Sequence, residues 1–170
     1  MPIEVKPKPT GIAPVKPKLP PVDPEASAKT IARILMAEAV SDGPEGMEMV
    51  GDIAHNRATR RKKPLDQILT ESKLNEKGVR VYQFTGAGRK DMDSFIAKQP
   101  PMLYNLALEI AKERMNPAHE NKYPGIENYV TQDLYDNRFK PDVSEWVRTY
   151  QPAGRVGSHV LLVPPKKAKK

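Results

Sequence analysis

The chain has 170 residues, 38% of them hydrophobic, with a formal net charge of +7 and a pI near 9.5. That length suits one domain with a sizeable core. Cysteine is absent, which excludes a disulfide framework and a cysteine zinc site. No apolar run approaches the roughly 18 residues of a membrane-spanning helix, and no apolar leader opens the chain, so synthesis in the cytoplasm without a signal peptide is expected.

Residues 1–24 hold 8 of the 18 prolines and four lysines. They read as an extended, polyproline-like arm. Residues 165–170 form a Lys-rich tail, leaving residues 25–164 as the folded domain. Arm and tail together carry +6 of the +7, so the basic charge belongs to the ends and not to a face. Such ends suit loose, salt-dependent contact with anionic envelope polymers or nucleic acid.

The first helix is predicted from Pro24–Ser27 to about Val40. Ile31, Ile34, Leu35 and Glu38 stand at i, i+3, i+4 and i+7, which puts a carboxylate on the stripe that seeks the core. Burial and the negative end of the helix dipole both disfavour its ionised form, the condition for a general acid near neutral pH. The plain alternative is a glutamate at the rim of the core, solvated or paired with an arginine.

Ser41-Asp42-Gly43-Pro44 ends that helix and opens a second, with Met47, Val50, Ala54 and Ala58 at helical spacing. It closes on Arg60-Arg61-Lys62-Lys63, cations expected at the negative end of a helix. A short helix over Leu65–Thr70 precedes nearly thirty irregular residues containing Gln83-Phe84-Thr85-Gly86, a length that marks a functional loop. Gln83 and Phe84 set an amide beside an aromatic, as sugar sites do, although a loop phenylalanine also serves as a core plug. Pro100-Pro101 open a third helix, in which Leu103, Leu106, Ile110 and Arg114 share a side, and Asn116-Pro117 stop it.

Glu127–Thr131 and Val156–Val163 are rich in β-branched and aromatic residues and predict a short antiparallel pairing, with a helix around Trp146. The fold class is therefore mainly α, of the α+β kind, with a small β element. His55, His119 and His159 lack ligand spacing, so no metal site is expected. Neither a phosphate loop nor a nucleophile elbow occurs.

Taken in order, Ala32–Ala39 around Glu38, Gly46 to Asn56-Arg57, Gln83-Phe84-Thr85, Tyr129, Trp146 and Gly157-Ser158-His159-Val160 resemble the spore cortex-lytic enzyme type of cell-wall hydrolase over residues 28–163. After Glu-Ala that family usually has Arg-Gly-Glu, where this chain reads Val40-Ser41-Asp42. The resemblance implies a lysozyme-like helical domain acting on peptidoglycan glycan strands, with Glu38 as catalytic acid. It further implies Gln83 and Tyr129 orienting the sugar, Phe84 walling the subsite, and Asn56 and His159 in support. No cofactor is expected, and the chain is expected to be a monomer.

Glycoside hydrolysis ordinarily needs two carboxylates, and the nearest to Glu38 in sequence are Asp42, Glu45 and Glu48. A lytic transglycosylase needs one, and that route is favoured. A lysin released through a membrane hole or an enzyme carried in a virion fits a chain without a leader. The alternatives are a catalytically inactive wall-binding domain and a virion structural or DNA-associated protein that uses the basic ends.

Overall fold

The computed structural model describes residues 23–165. The arm and the tail, apart from Asp23, Pro24 and Pro165, lie outside the described residues. Helix α1 spans Pro24–Ala39. The Asp23 side chain accepts from the Glu25 N–H at 3.0 Å, and Pro24 occupies the first turn, where a missing N–H costs nothing. A short 3-10 turn over Val40–Asp42 leads into α2, Gly43–Arg61.

Helices α3 (Leu65–Thr70) and α5 (Pro101–Met115) complete the helical core. Ile31, Leu35, Met36, Met47, Val50, Ile53, Leu69 and Ala107 are fully buried there, so the apolar spacing of the three longer helices is the packing face. Among the described residues no helix is long and apolar enough to cross a membrane. The structure is mixed α+β and mainly helical.

Arg114 follows the inward side of α5, and its guanidinium is buried against Asp52 of α2 at 2.8 Å. Asp52, fully buried, also lies 2.9 Å from His119 Nε2 and accepts from the Lys122 N–H at 2.8 Å. This cluster fastens the segment after α5 to α2. Three of the four cations at the end of α2 are paired: Arg60 binds Glu127, while Arg61 and Lys63 both bind Glu71.

Two parts of the presumed irregular stretch are regular. An antiparallel hairpin joins β1 (Ser72–Leu74) to β2 (Arg80–Tyr82), and α4 covers Met92–Ala97. The hairpin escapes sequence reading because Leu74, Val79 and Val81 all face solvent, so no buried face imposes the alternation that marks a strand.

The second sheet has three strands in the order β3 (Asn128–Thr131), β5 (His159–Val163), β4 (Gln151–Val156), all antiparallel. The Val156–Val163 run thus divides at a Gly157-Ser158 turn. Gly157 has φ +53°, and a Cβ there would lie 2.4 Å from Asp42 Oδ1, so both backbone shape and space require glycine. Helices α6 (Gln132–Asp136) and α7 (Glu145–Thr149) flank this sheet.

Successive strand residues face opposite sides, and the sheet uses both. Val130, Val160 and Leu162 join Val143 and Val147 in a small outer core, while Tyr129 and Leu161 pack toward the helical core. The register pairs Tyr129 with Leu161 and Thr131 with His159. Tyr129 and His159 therefore share the inner face, aimed at the end of α1.

Candidate active site

Glu38 lies in the last turn of α1, half-buried at the edge of the helical core. Its two oxygens are held from different elements. Oε1 accepts from the Thr85 hydroxyl at 2.9 Å and from the Gly86 N–H, while Oε2 accepts from the Tyr129 hydroxyl at 2.7 Å. A loop and a strand that are far apart in sequence thus converge on one carboxylate. It faces polar donors and is not sunk among aliphatic side chains, as the helical stripe alone would put it.

The loop reaches Glu38 because Phe84 is fully buried and anchors it in the core, after which Thr85–Gly88 coil in a 3-10 turn against α1. A Cβ at Gly86 would lie 2.7 Å from Ala37 Cβ and 3.2 Å from Glu38 Oε1. Any side chain at 86 pushes the turn off the carboxylate.

Tyr129 is half-buried, and its loss of solvation raises its phenol well above the usual range, with the Glu38 charge and hydrogen bond adding to the shift. It remains a neutral hydroxyl that can donate to a carboxylate or accept from a carboxylic acid. The His159 ring meets Tyr129 edge-on at 5.0 Å. His159 Nδ1 stands 2.7 Å from Asp42 Oδ2 but at an angle too poor for a hydrogen bond.

Asp42 accepts from the Ser158 N–H at 2.8 Å and the Ser158 hydroxyl at 3.0 Å. Burial works to raise its carboxyl, but these two bonds and His159 outweigh burial and hold it below the usual value. It latches the β4–β5 turn to the end of α1.

The other residues singled out in the sequence have different places. Phe84 presents no exposed ring, so it plugs the core and does not stack on a sugar; its ring lies 6.4 Å from that of Tyr129. Gln83 is exposed and turned away from Glu38: it donates to Glu71 at 3.0 Å and accepts from Arg57 at 3.3 Å. Asn56 donates to the carbonyls of Tyr123 and Ile126, both at 2.8 Å, and accepts from Asn121 at 3.0 Å. With both amide hydrogens committed, it shapes the segment that leads to β3.

Thr85, Gly86 and Arg57 escape attention as site residues in the sequence. Arg57 donates to the Glu127 carbonyl at 2.6 Å, just before β3, and lies 4.9 Å over the Phe84 ring. It ties together the two segments that hold Glu38. The signal for Arg57 and Thr85 is their place inside the Asn56-Arg57 and Gln83-Phe84-Thr85 landmarks, which assigns them no role; Gly86 has only its place after the phenylalanine and threonine.

A cavity of about 520 Å³ opens beside these donors, lined by Ala37, Thr85 and Gly86 together with Arg80, Tyr82 and Arg89. Another, of about 330 Å³, is walled by Ile31, Ala58, Leu65 and Met115 and includes none of the groups bound to Glu38. Among the described residues no group of three or more acidic or histidine side chains is placed to hold a metal ion.

Compared with family models, with curated proteins and with solved structures, the chain matches none.

Proposed function

We propose that the protein cleaves the β-1,4 bond between N-acetylmuramic acid and N-acetylglucosamine in peptidoglycan, with Glu38 as the reacting acid in a lysozyme-like domain. The observation that carries this reading is the three-donor cage around Glu38, two of whose donor residues, Thr85 and Gly86, also line an open groove. A positioned carboxyl group beside space for a polymer is what glycosidic bond cleavage requires. The order of motifs resembling spore cortex-lytic enzymes supports the same chemistry.

With two donors on Oε1, the acidic proton of neutral Glu38 belongs on Oε2, where the Tyr129 oxygen accepts it until a glycosidic oxygen takes its place. Transfer of that proton breaks the C1–O bond. The resulting carboxylate takes the proton of the muramoyl C6 hydroxyl as its oxygen closes on C1, giving a 1,6-anhydro end. No water is consumed. Tyr129 reverses its hydrogen bond at each step and keeps Oε2 aligned.

One carboxylate suffices for this route, and the neighbouring acids have other partners. Asp42 is bound through both oxygens to Ser158, and Glu48 is paired with Lys122. Glu45 is exposed in the first turn of α2. This favours the transglycosylase over a two-carboxylate hydrolase.

The purified protein is expected to release soluble muropeptides from purified sacculi; no release over a range of pH and salt would refute the proposal. Tyr129→Phe keeps the ring packing and removes the hydroxyl, and the expected result is a roughly tenfold or greater fall in kcat with an unchanged melting temperature. Activity within twofold of wild type would remove Tyr129 from the mechanism.

A further inference from the structure

The groove beside Glu38 has a cationic wall that the cleavage step does not use. Of its lining residues, Arg80, Val81 and Tyr82 come from β2, and Arg89 lies just beyond the Thr85–Gly88 turn; none is acidic. The two arginines are not equivalent. Arg89 pairs with Asp91 at 2.7 Å and stacks on the Phe95 ring at 3.8 Å, so its charge is answered. Arg80 donates to the Ser72 hydroxyl at 2.8 Å and has no carboxylate partner among the described residues.

The hairpin that carries Arg80 continues the pattern. Residues 72–82 hold Lys73, Lys77 and Arg80 against the single acid Glu76, with Leu74, Val79 and Val81 exposed beside them. An unneutralised guanidinium next to apolar side chains, at the edge of an open cavity, fits a ligand that combines carboxylates with short aliphatic groups. A bare sugar chain offers only the lactyl carboxylate that loss of the peptide exposes, held close to the ring and without aliphatic side chains. Stem peptides attached to muramic acid carry both.

We propose that this groove, with Arg80 as its anion-binding group, takes the acidic peptide stem of the substrate, so that the enzyme prefers peptide-bearing glycan to stripped glycan. The inference rests on the cell-wall reading of Glu38 and gives that site its substrate class. Geometry supports it in one further respect. Thr85 and Gly86 line the groove and also bind Glu38, so a substituent held there belongs to a sugar next to the bond being cut. Tyr82 forms the floor: a Cβ on Gly88 would lie 2.6 Å from its ring, which leaves glycine to keep the turn pressed against the strand.

The test compares kcat/KM of the full-length protein on two preparations from one batch of sacculi, one intact and one stripped of stem peptides by an amidase, with the lactyl carboxylates so exposed then capped as methylamides. The wild type is expected to favour the intact material by roughly two- to fivefold, the scale of one exposed ion pair with a carboxylate. Arg80→Glu is expected to bring the ratio to about one, and Arg80→Lys to restore part of it. Equal rates on the two substrates, or an undiminished preference in Arg80→Glu, would overturn the inference while leaving the cleavage proposal intact. If the wild type cut neither preparation, the cell-wall reading itself would fail. Arg80 is exposed, so thermal melts of both variants should match wild type, and a shared loss of stability would show that Arg80 holds the hairpin and not the substrate.

Discussion

Glu38→Gln is expected to lower muropeptide release from purified sacculi by roughly 100-fold or more, the usual cost of losing a positioned general acid. The substitution is nearly isosteric. Glutamine offers one oxygen to Thr85 and Gly86 in place of Oε1, and its amide can donate to the Tyr129 oxygen in place of accepting from it. The cage survives and the transferable proton does not. The melting temperature should therefore stay close to wild type while kcat falls, with little change in KM. A variant that retained more than a tenth of the wild-type rate would move the reaction to another group.

The largest effect on stability is expected at Asp52, not at the site. Its carboxylate is fully buried and is the partner of the Arg114 guanidinium, whose side chain is 2% exposed. Asp52→Ala leaves that cation without its main counter-charge in the core, and removes the acceptor for the Lys122 N–H. Breaking a buried ion pair from one side costs about 3–5 kcal/mol, or on the order of 10 °C in Tm for a domain of this size. Urea unfolding of the two proteins measures the difference, and a loss below about 1 kcal/mol would mean that Glu113, which also binds Arg114, carries the charge alone.

Asp52 also shows where the sequence was silent. Its position in α2 reads as one polar residue among Met47, Val50 and Ile53, and nothing local tells it from a solvated aspartate. Arg114 carried a signal, since it falls on the apolar side of α5, but the partner that makes this tolerable is 62 residues away. Long-range pairing of this kind does not appear in helical periodicity.

The helices and the β-rich C-terminal region were legible because burial imposes a period on them, and Glu38 stood out because it interrupts that period. Tyr129 depended on the order of motifs, since a tyrosine in a short strand has no distinguishing pattern of its own. Phe84, which the resemblance places in the wall of the subsite, faces the core instead: sequence shows an aromatic next to a polar amide but not which of the two is buried. The structure buries Phe84 and thereby delivers Thr85 and Gly86 to the carboxylate. Those two residues make their contacts through a small hydroxyl and a backbone N–H, which leave no trace in composition.

The most direct test of the chemistry is to digest purified sacculi in heavy-oxygen water and weigh the new ends by mass spectrometry. One caged acid acting without a second carboxylate gives 1,6-anhydromuramoyl ends with no heavy oxygen. Reducing ends that carry the label would mean that water, activated by another group, completes the reaction, and would contradict the single-acid mechanism at Glu38.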